Sequence, residues 1–407
     1  MNTSTIRAAW PALAGRLRAG VLATLFALLA GCSAGLDGGG DGVGSGGTGT
    51  YSMGPISGFG SVIVNGVRFD DSAASVVDDD DTPRSRSELQ LGMTVEVDGG
   101  EVRSDASGRS ATARRVRFGS ALVGTVSSVD VAAGTLVALG QTVSVGAGTV
   151  FDEQLAGGLA ALATGRAIEV YGLYDTANGR LVATRIAPAA TGAAAQLRGP
   201  VASVDAAARV LRIGAAAFTY AAASGVPGAI AAGDIVRLRL RGGTDALGRY
   251  PVEAFLTGAR TPDDRDLGEI EGTVTAFAAA SAFRVGALWV DASAATFPNG
   301  TSGLRLGARV QVKGLVRSGG LRASTVEVAS DAQVEDRGFE LKGTITALDT
   351  RTRRFVLRGQ TVGYGRSDLR VDGGTLADLA AGRSVEVKAV PTADRSALEA
   401  TRLKFVE

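Results

Sequence analysis

Short runs in which apolar and polar residues alternate, separated by Gly, Asp or Asn, fill the chain from residue 54 onward. They are clearest as "GTLVALG" and "QTVSVG" after Val131, and as "RRFVLRG" and "QTVGYG" around Gly359. A period of two predicts antiparallel strands with one buried face. The runs come in sets. An opening pattern, Gly-x-Val/Ile-x-x-apolar, recurs as "GPISGF" at Gly54, "GTVSSV" at Gly124, "GPVASV" at Gly199, "GTVTAF" at Gly272 and "GTITAL" at Gly343. A second pattern, Gly-x-x-Val/Ile-x-Val/Leu, follows each opening: "GMTVEV" at Gly92, "GRAIEV" at Gly165, "GDIVRL" at Gly233, "GARVQV" at Gly307 and "GRSVEV" at Gly382. Closing runs complete the sets as "ATARRVRF", "LVATRIA", "LRASTVEV" and "ALEATRLKF"; the third set departs from the pattern with "YPVEAFL" from Tyr250.

Self-similarity at a fixed period marks a repeat architecture. The sets divide the chain into five repeats, 54–119, 120–190, 194–260, 267–330 and 337–407, each with five strand-like runs. Before the second pattern lie Ala/Leu-rich pieces, "EQLAGGLAALATG", "GAIAAG" and "TLADLAAG" in repeats two, three and five, which predict one or two helical turns between the third and fourth strands. Five strands with a short helix there is the plan of an OB-like barrel, whose closed sheet protects its edges. The fold class expected is all-β, with five tandem small OB-like β-barrel domains. A unit of this length buries only about 60% of its unfolded surface, so neighbours are expected to support one another. The short linkers "APAATGAAAQ", "TPDDRD" and "DAQVEDR" point to an extended or gently curved row.

On its opening and "VATRI"-type closing motifs, the stretch from about residue 54 to 406 resembles the tandem repeats of bacterial lipoproteins in the family known as domain of unknown function 5666. The resemblance implies an OB-like fold and an extracytoplasmic setting. It implies no catalytic residues.

The N-terminal pattern is different. Residues 1–18 carry Arg7, Arg16 and Arg18 and no acid, and Ala19–Ala30 is apolar apart from Gly20 and Thr24. This is a basic n-region and an h-region too short to span a bilayer, which takes roughly 20 apolar residues. Leu29-Ala30-Gly31-Cys32 then resembles the lipobox of bacterial lipoproteins, which implies that the Cys32 thiol carries diacylglycerol, that residues 1–31 are removed, and that the new amino terminus is acylated. Cys32 is the sole cysteine in 407 residues. Two or more acyl chains anchor stably, at about 0.8 kcal/mol per buried methylene. The following "SAGLDGGGDGVGSGGTGT" holds nine glycines in eighteen residues and reads as a tether with an r.m.s. span of roughly 23 Å, making residues 32–53 the lipidated segment. Ser33, rather than Asp, implies by the same resemblance an outer-membrane address. The expected partner is thus a lipid bilayer through acylated Cys32.

Composition then narrows the chemistry. The chain has no histidine, so Ser-His-Asp and Cys-His mechanisms and His/Cys zinc sites are absent, and haem and iron–sulfur ligation lose their usual ligands. No cofactor is expected. The four lysines, Lys313, Lys342, Lys388 and Lys404, lie on or beside predicted strands, a pattern of solvated faces and edge protection. Loss of the three N-terminal arginines leaves the mature chain slightly acidic. With sparse aromatics, that argues against nucleic acid as a partner, since single-strand binders need a positive groove and stacking rings.

Two charge clusters and five aromatics remain. Asp70, Asp71 and Asp78–Asp81 crowd oxygen ligands in repeat one, but without the alternate spacing and turn glycine of a calcium loop, so a solvated loop beside "TPRSRS" is the stronger expectation. Arg237, Arg239 and Arg241 alternate with Leu238 and Leu240, which places three guanidinium groups on one strand face where they could take an anionic ligand; a polar outer face is the simpler reading. Tyr171, Tyr174, Phe218, Tyr220 and Trp289 are candidates for sugar stacking, weighed against core or rim positions. The function expected is a membrane-anchored, non-catalytic cell-envelope scaffold or adaptor, with a binding module for polysaccharide or another envelope ligand as the alternative and a carboxylate-based hydrolase as a distant one.

Overall fold

The structure, a computed structural model, describes residues 49–406 except 107, 156, 330–337, 394 and 396; Cys32, the expected signal segment 1–31 and most of the expected tether 32–53 lie outside the described residues. The second repeat shows the plan most plainly. Its first strand, Leu122–Asp130, pairs antiparallel with the second, Thr135–Ala138, and that with the third, Gln141–Phe151. The third runs parallel to the fifth, Arg180–Pro188; the fifth pairs with the fourth, Ala167–Asp175; and the fourth returns to the first. The order 1-2-3-5-4-1 closes a five-stranded OB-like barrel. Repeats one, four and five close in the same order. Gln196–Leu256 follows it too, with a first strand broken into Gln196–Pro200 and Ser203–Asp205.

The repeated glycines have physical reasons. In the second pattern, Gly92, Gly165, Gly233, Gly307 and Gly382 all have positive φ, between 78° and 89°, a conformation that side-chain-bearing residues adopt only under strain. In the opening pattern the reason is space. A Cβ on Gly124 would lie 2.6 Å from Leu139, on Gly199 2.8 Å from Ile213, and on Gly272 2.7 Å from Val285. The hairpin joining strands two and three folds down onto strand one, and only glycine lets it.

The predicted turns after the third strand appear as 3-10 turns at Glu153–Leu155 and Gly158–Ala161 in repeat two and at Leu376–Asp378 in repeat five. "GAIAAG" in the third repeat forms none: repeat two buries Leu155, Leu159 and Leu162 under its turns, whereas this shorter piece has only the half-buried Ile230 to anchor one.

The barrels do not form a row. The opening strand of repeat one, Thr50–Pro55, pairs in parallel with repeat four (Met53 opposite Ile270), and Gly58–Phe59 pairs in parallel with Glu340–Leu341 of repeat five. Repeats two and three join through Leu122 opposite Leu197. Packing follows these seams. One continuous core runs through repeats one and five, including Ile56, Phe69, Leu341 and Phe355, and another through repeats two and three, including Leu136, Ile168, Leu211 and Phe218. Repeat four keeps its own core around Phe283, joined by Tyr51 of repeat one. Each fully buried Phe contributes about 2–3 kcal/mol over an exposed one, so a shared core offsets the small size of each unit. The row expected from short linkers fails because strand edges and apolar faces find partners across the sequence.

Candidate functional site

Repeat one is the hub of a set of ion pairs. Its loop Asp78–Asp81 is held locally by Asp78, whose Oδ1 accepts from the backbone N–H of Asp80 and Thr82 and whose Oδ2 takes Arg84 at 2.9 and 2.7 Å. The next three carboxylates reach outward. Asp79 meets Arg198 at 2.7 Å, Asp80 meets Arg237 at 2.9 and 2.6 Å, and Asp81 meets Arg260 at 2.8 Å and Arg117 at 2.6 Å. Hydrogen bonding from Arg117 holds the Asp81 carboxyl below its ordinary range. Other faces of repeat one pair Arg68 with Glu340, Arg109 with Glu269, and Asp98 with Arg265 at 2.9 Å. Thr184 of repeat two donates to the Gly92 carbonyl at 2.6 Å.

The two charge clusters singled out in the sequence therefore meet at one pair, Asp80 with Arg237. The acidic run is not a free solvated loop: Asp79, Asp80 and Asp81 reach arginines of repeat three while Asp78 pairs within its own repeat, and among the described residues no group of three His, Cys, Asp or Glu side chains is arranged to hold a metal. Nor do Arg237, Arg239 and Arg241 present one ligand-facing row. Leu238 and Leu240 point into the core as the alternation requires, but Arg237 is buried in its pair with Asp80, Arg239 is half-buried, and Arg241 lies exposed just past the strand Ile235–Leu240. Of the five aromatics, Tyr171, Tyr174, Phe218 and Tyr220 are core; Trp289 is 51% exposed, with Arg284 stacked 5.1 Å above its ring. Lys313, Lys342, Lys388 and Lys404 all lie within strands.

Sequence reasoning missed a cleft of about 1540 Å³ between repeats one, two, four and five. One wall belongs to repeat two: the turn after its first strand (Ala133–Thr135), its third strand (Ser144–Thr149) and the turn before its fifth (Ala177, Asn178, Arg180). The opposite wall, from repeat four, carries Arg305, Arg309, Gln311 and Lys313, and the first repeat contributes Asn65 and Arg109. The walls are pinned. Thr273 donates to the Tyr174 carbonyl at 2.6 Å, and Asn65 donates to the Glu269 carbonyl at 2.9 Å. Arg309 takes Glu271 at 2.8 Å, and Asp175 takes Arg180 at 3.2 Å. A cleft built by four repeats leaves no local signature.

The family described as Domain of unknown function (DUF5666) matches at residues 53–117, 123–187, 271–327 and 342–404. The chain belongs to that family. The four matches fall on repeats one, two, four and five, and the segment between 187 and 271 lies outside them. No curated protein matches the chain. Among solved structures, drosophila Unr CSD456 is similar over 52% of this chain and 96% of its own, at 13% identity and a TM-score of 0.14, too weak a likeness to bear on function.

Proposed function

We propose that this chain is a lipid-anchored, non-catalytic protein of the bacterial cell envelope, a scaffold or adaptor that holds another envelope component. The N-terminal pattern ending at Cys32 supports the anchor. The observation that carries the holding role is the cleft, whose walls are fixed by cross-repeat hydrogen bonds and parallel strand pairs rather than by flexible linkers. Fixed walls present a prepared surface, which lowers the ordering cost of binding. The missing histidine and the single, N-terminal cysteine support a non-catalytic role.

Photo-crosslinking in intact envelope tests this reading, with a reactive group at Ser302 on the cleft wall and, separately, at Ser293 on another exposed loop. A discrete adduct from Ser302 alone, lost when Cys32→Ser leaves the protein unanchored, is the expected result. Equal adducts from both positions would remove the cleft as the holding surface.

A second reading, a polysaccharide-binding module, is favoured by one observation. The wall supplied by repeat two is made of the strand-three face and the 1–2 and 4–5 turns, the surfaces on which OB barrels take oligosaccharides.

A further inference from the structure

The charge of the cleft goes further than its shape. Among the described residues, five cations line it, Arg109, Arg180, Arg305, Arg309 and Lys313, against two carboxylates, Asp175 and Glu271. Arg109, Arg180 and Arg309 are paired with Glu269, Asp175 and Glu271. Arg305 is exposed and donates to the Gly303 carbonyl at 3.4 Å, and Lys313 is half-buried. Among the described residues no carboxylate lies within ion-pair distance of either. A local excess of positive charge in a chain that is slightly acidic without its first 31 residues is focused by low-dielectric walls toward whatever enters.

Size and lining select among anions. Clefts for single small molecules run to about 300–1,000 Å³, and this one, at about 1540 Å³, has room for several linked sugar units. Among the described residues its one aromatic is Phe339, which is buried, so these residues offer no platform on which bases stack and single-stranded nucleic acid is disfavoured. The side-chain amides of Gln311 and of Asn178, whose Nδ2 already donates to Asp175 at 2.8 Å, supply hydrogen-bonding groups of the kind hydroxyl-rich chains use.

We propose that the cleft binds an acidic polysaccharide chain, with Arg305 and Lys313 taking its carboxylates. This inference rests on the polysaccharide reading above. The test titrates the full mature protein, in detergent, with an oligogalacturonate, a neutral malto-oligosaccharide of equal length, and single-stranded DNA at two salt concentrations. Binding of the uronate alone, weaker at high salt and reduced at least tenfold in Arg305→Glu/Lys313→Glu, is the expected result. Arg351→Glu on the remote surface of repeat five should leave it unchanged. Thermal melting verifies that the double variant is folded, and Arg305→Glu alone, at an exposed position, carries the comparison if it is not. Equal binding of the neutral chain, indifferent to the substitutions, would overturn the charge inference and leave the polysaccharide reading standing. Binding of neither oligosaccharide would overturn both, and tighter binding of the DNA would overturn the ligand class.

Discussion

Asp80 of the first repeat and Arg237 of the third, 157 positions apart in sequence, form a two-pronged ion pair with Nη1–Oδ1 at 2.9 Å and Nη2–Oδ2 at 2.6 Å. The pair is asymmetric: the Arg237 side chain is 5% exposed and the Asp80 side chain 46%. Removing the acid strands a buried guanidinium with only Gln196 nearby, at 3.3 Å or more, whereas removing the base leaves a carboxylate that water reaches. Asp80→Ala is therefore expected to cost about 2 kcal/mol, Arg237→Gln about 1, and Arg241→Gln under about 0.5. Chemical unfolding of these variants and of Asp80→Ala/Arg237→Gln measures the coupling, which should be about 1 kcal/mol. Additive effects would show that the pair does not fasten the two repeats.

The second-pattern glycines separate into two classes. Gly92 (φ 78°) has the Thr184 carbonyl oxygen 2.3 Å from where a Cβ would stand, while Gly165 (φ 89°) faces open space. Both Ala variants carry the backbone penalty of about 1 kcal/mol, and Gly92→Ala must in addition push repeat two away from repeat one. The midpoint loss on urea unfolding should be at least twice as large for Gly92→Ala as for Gly165→Ala. Equal losses would mean that the contact at Thr184 yields freely.

The barrel was legible in the sequence because each of its determinants is local: period-two alternation, a glycine under each hairpin, a positive-φ glycine opening each second pattern. The position between the two apolar residues of the second pattern also carried a signal. It holds Glu96, Glu169 and Glu386 in repeats one, two and five but Arg237 in the third, and that exchange of sign marks the repeat that docks on an acidic loop. What the sequence did not show is which repeats meet. Leu122 opposite Leu197 and Phe59 opposite Leu341 look like any other strand residues, because an apolar side chain carries no label for the core it enters. The cleft was hidden for the same reason.

Shared cores change how the chain divides. Cuts near Thr191, Pro262 and Asp331 are natural if each repeat folds alone, yet a cut near Thr191 splits the core common to repeats two and three. The fragment 120–260 should be soluble, β-rich by circular dichroism and cooperative in melting. The fragment 49–119, which keeps the whole first strand, should not, because Ile56 and Phe59 lose Leu341 and Phe339, and each stranded apolar side chain gives up about 1.5–3 kcal/mol. A cooperative melt of 49–119 in isolation would contradict the shared core.

Glu169 gives the pH dependence its sign. Burial raises its pKa above the ordinary carboxylate value, opposed by hydrogen bonds from Ser120 and Tyr171 and by the charges of Arg185 and Arg84. At neutral pH the folded protein therefore holds a carboxylate that would be better solvated in the unfolded chain. As pH falls through the raised folded value toward the unfolded one near 4.3, the folded state takes up its proton first and the penalty disappears. Glu169→Gln keeps an oxygen to accept from the Tyr171 hydroxyl, now at 3.1 Å, and removes the charge. Its melting temperature should exceed that of the wild type at pH 7.5, and the difference should shrink to nothing by about pH 4. Asp81, held low by Arg117, works in the opposite direction: its contribution is complete above about pH 4 and is lost as pH falls through its depressed value. A Glu169→Gln advantage that persisted unchanged to pH 4 would show that packing, not the buried charge, sets the difference.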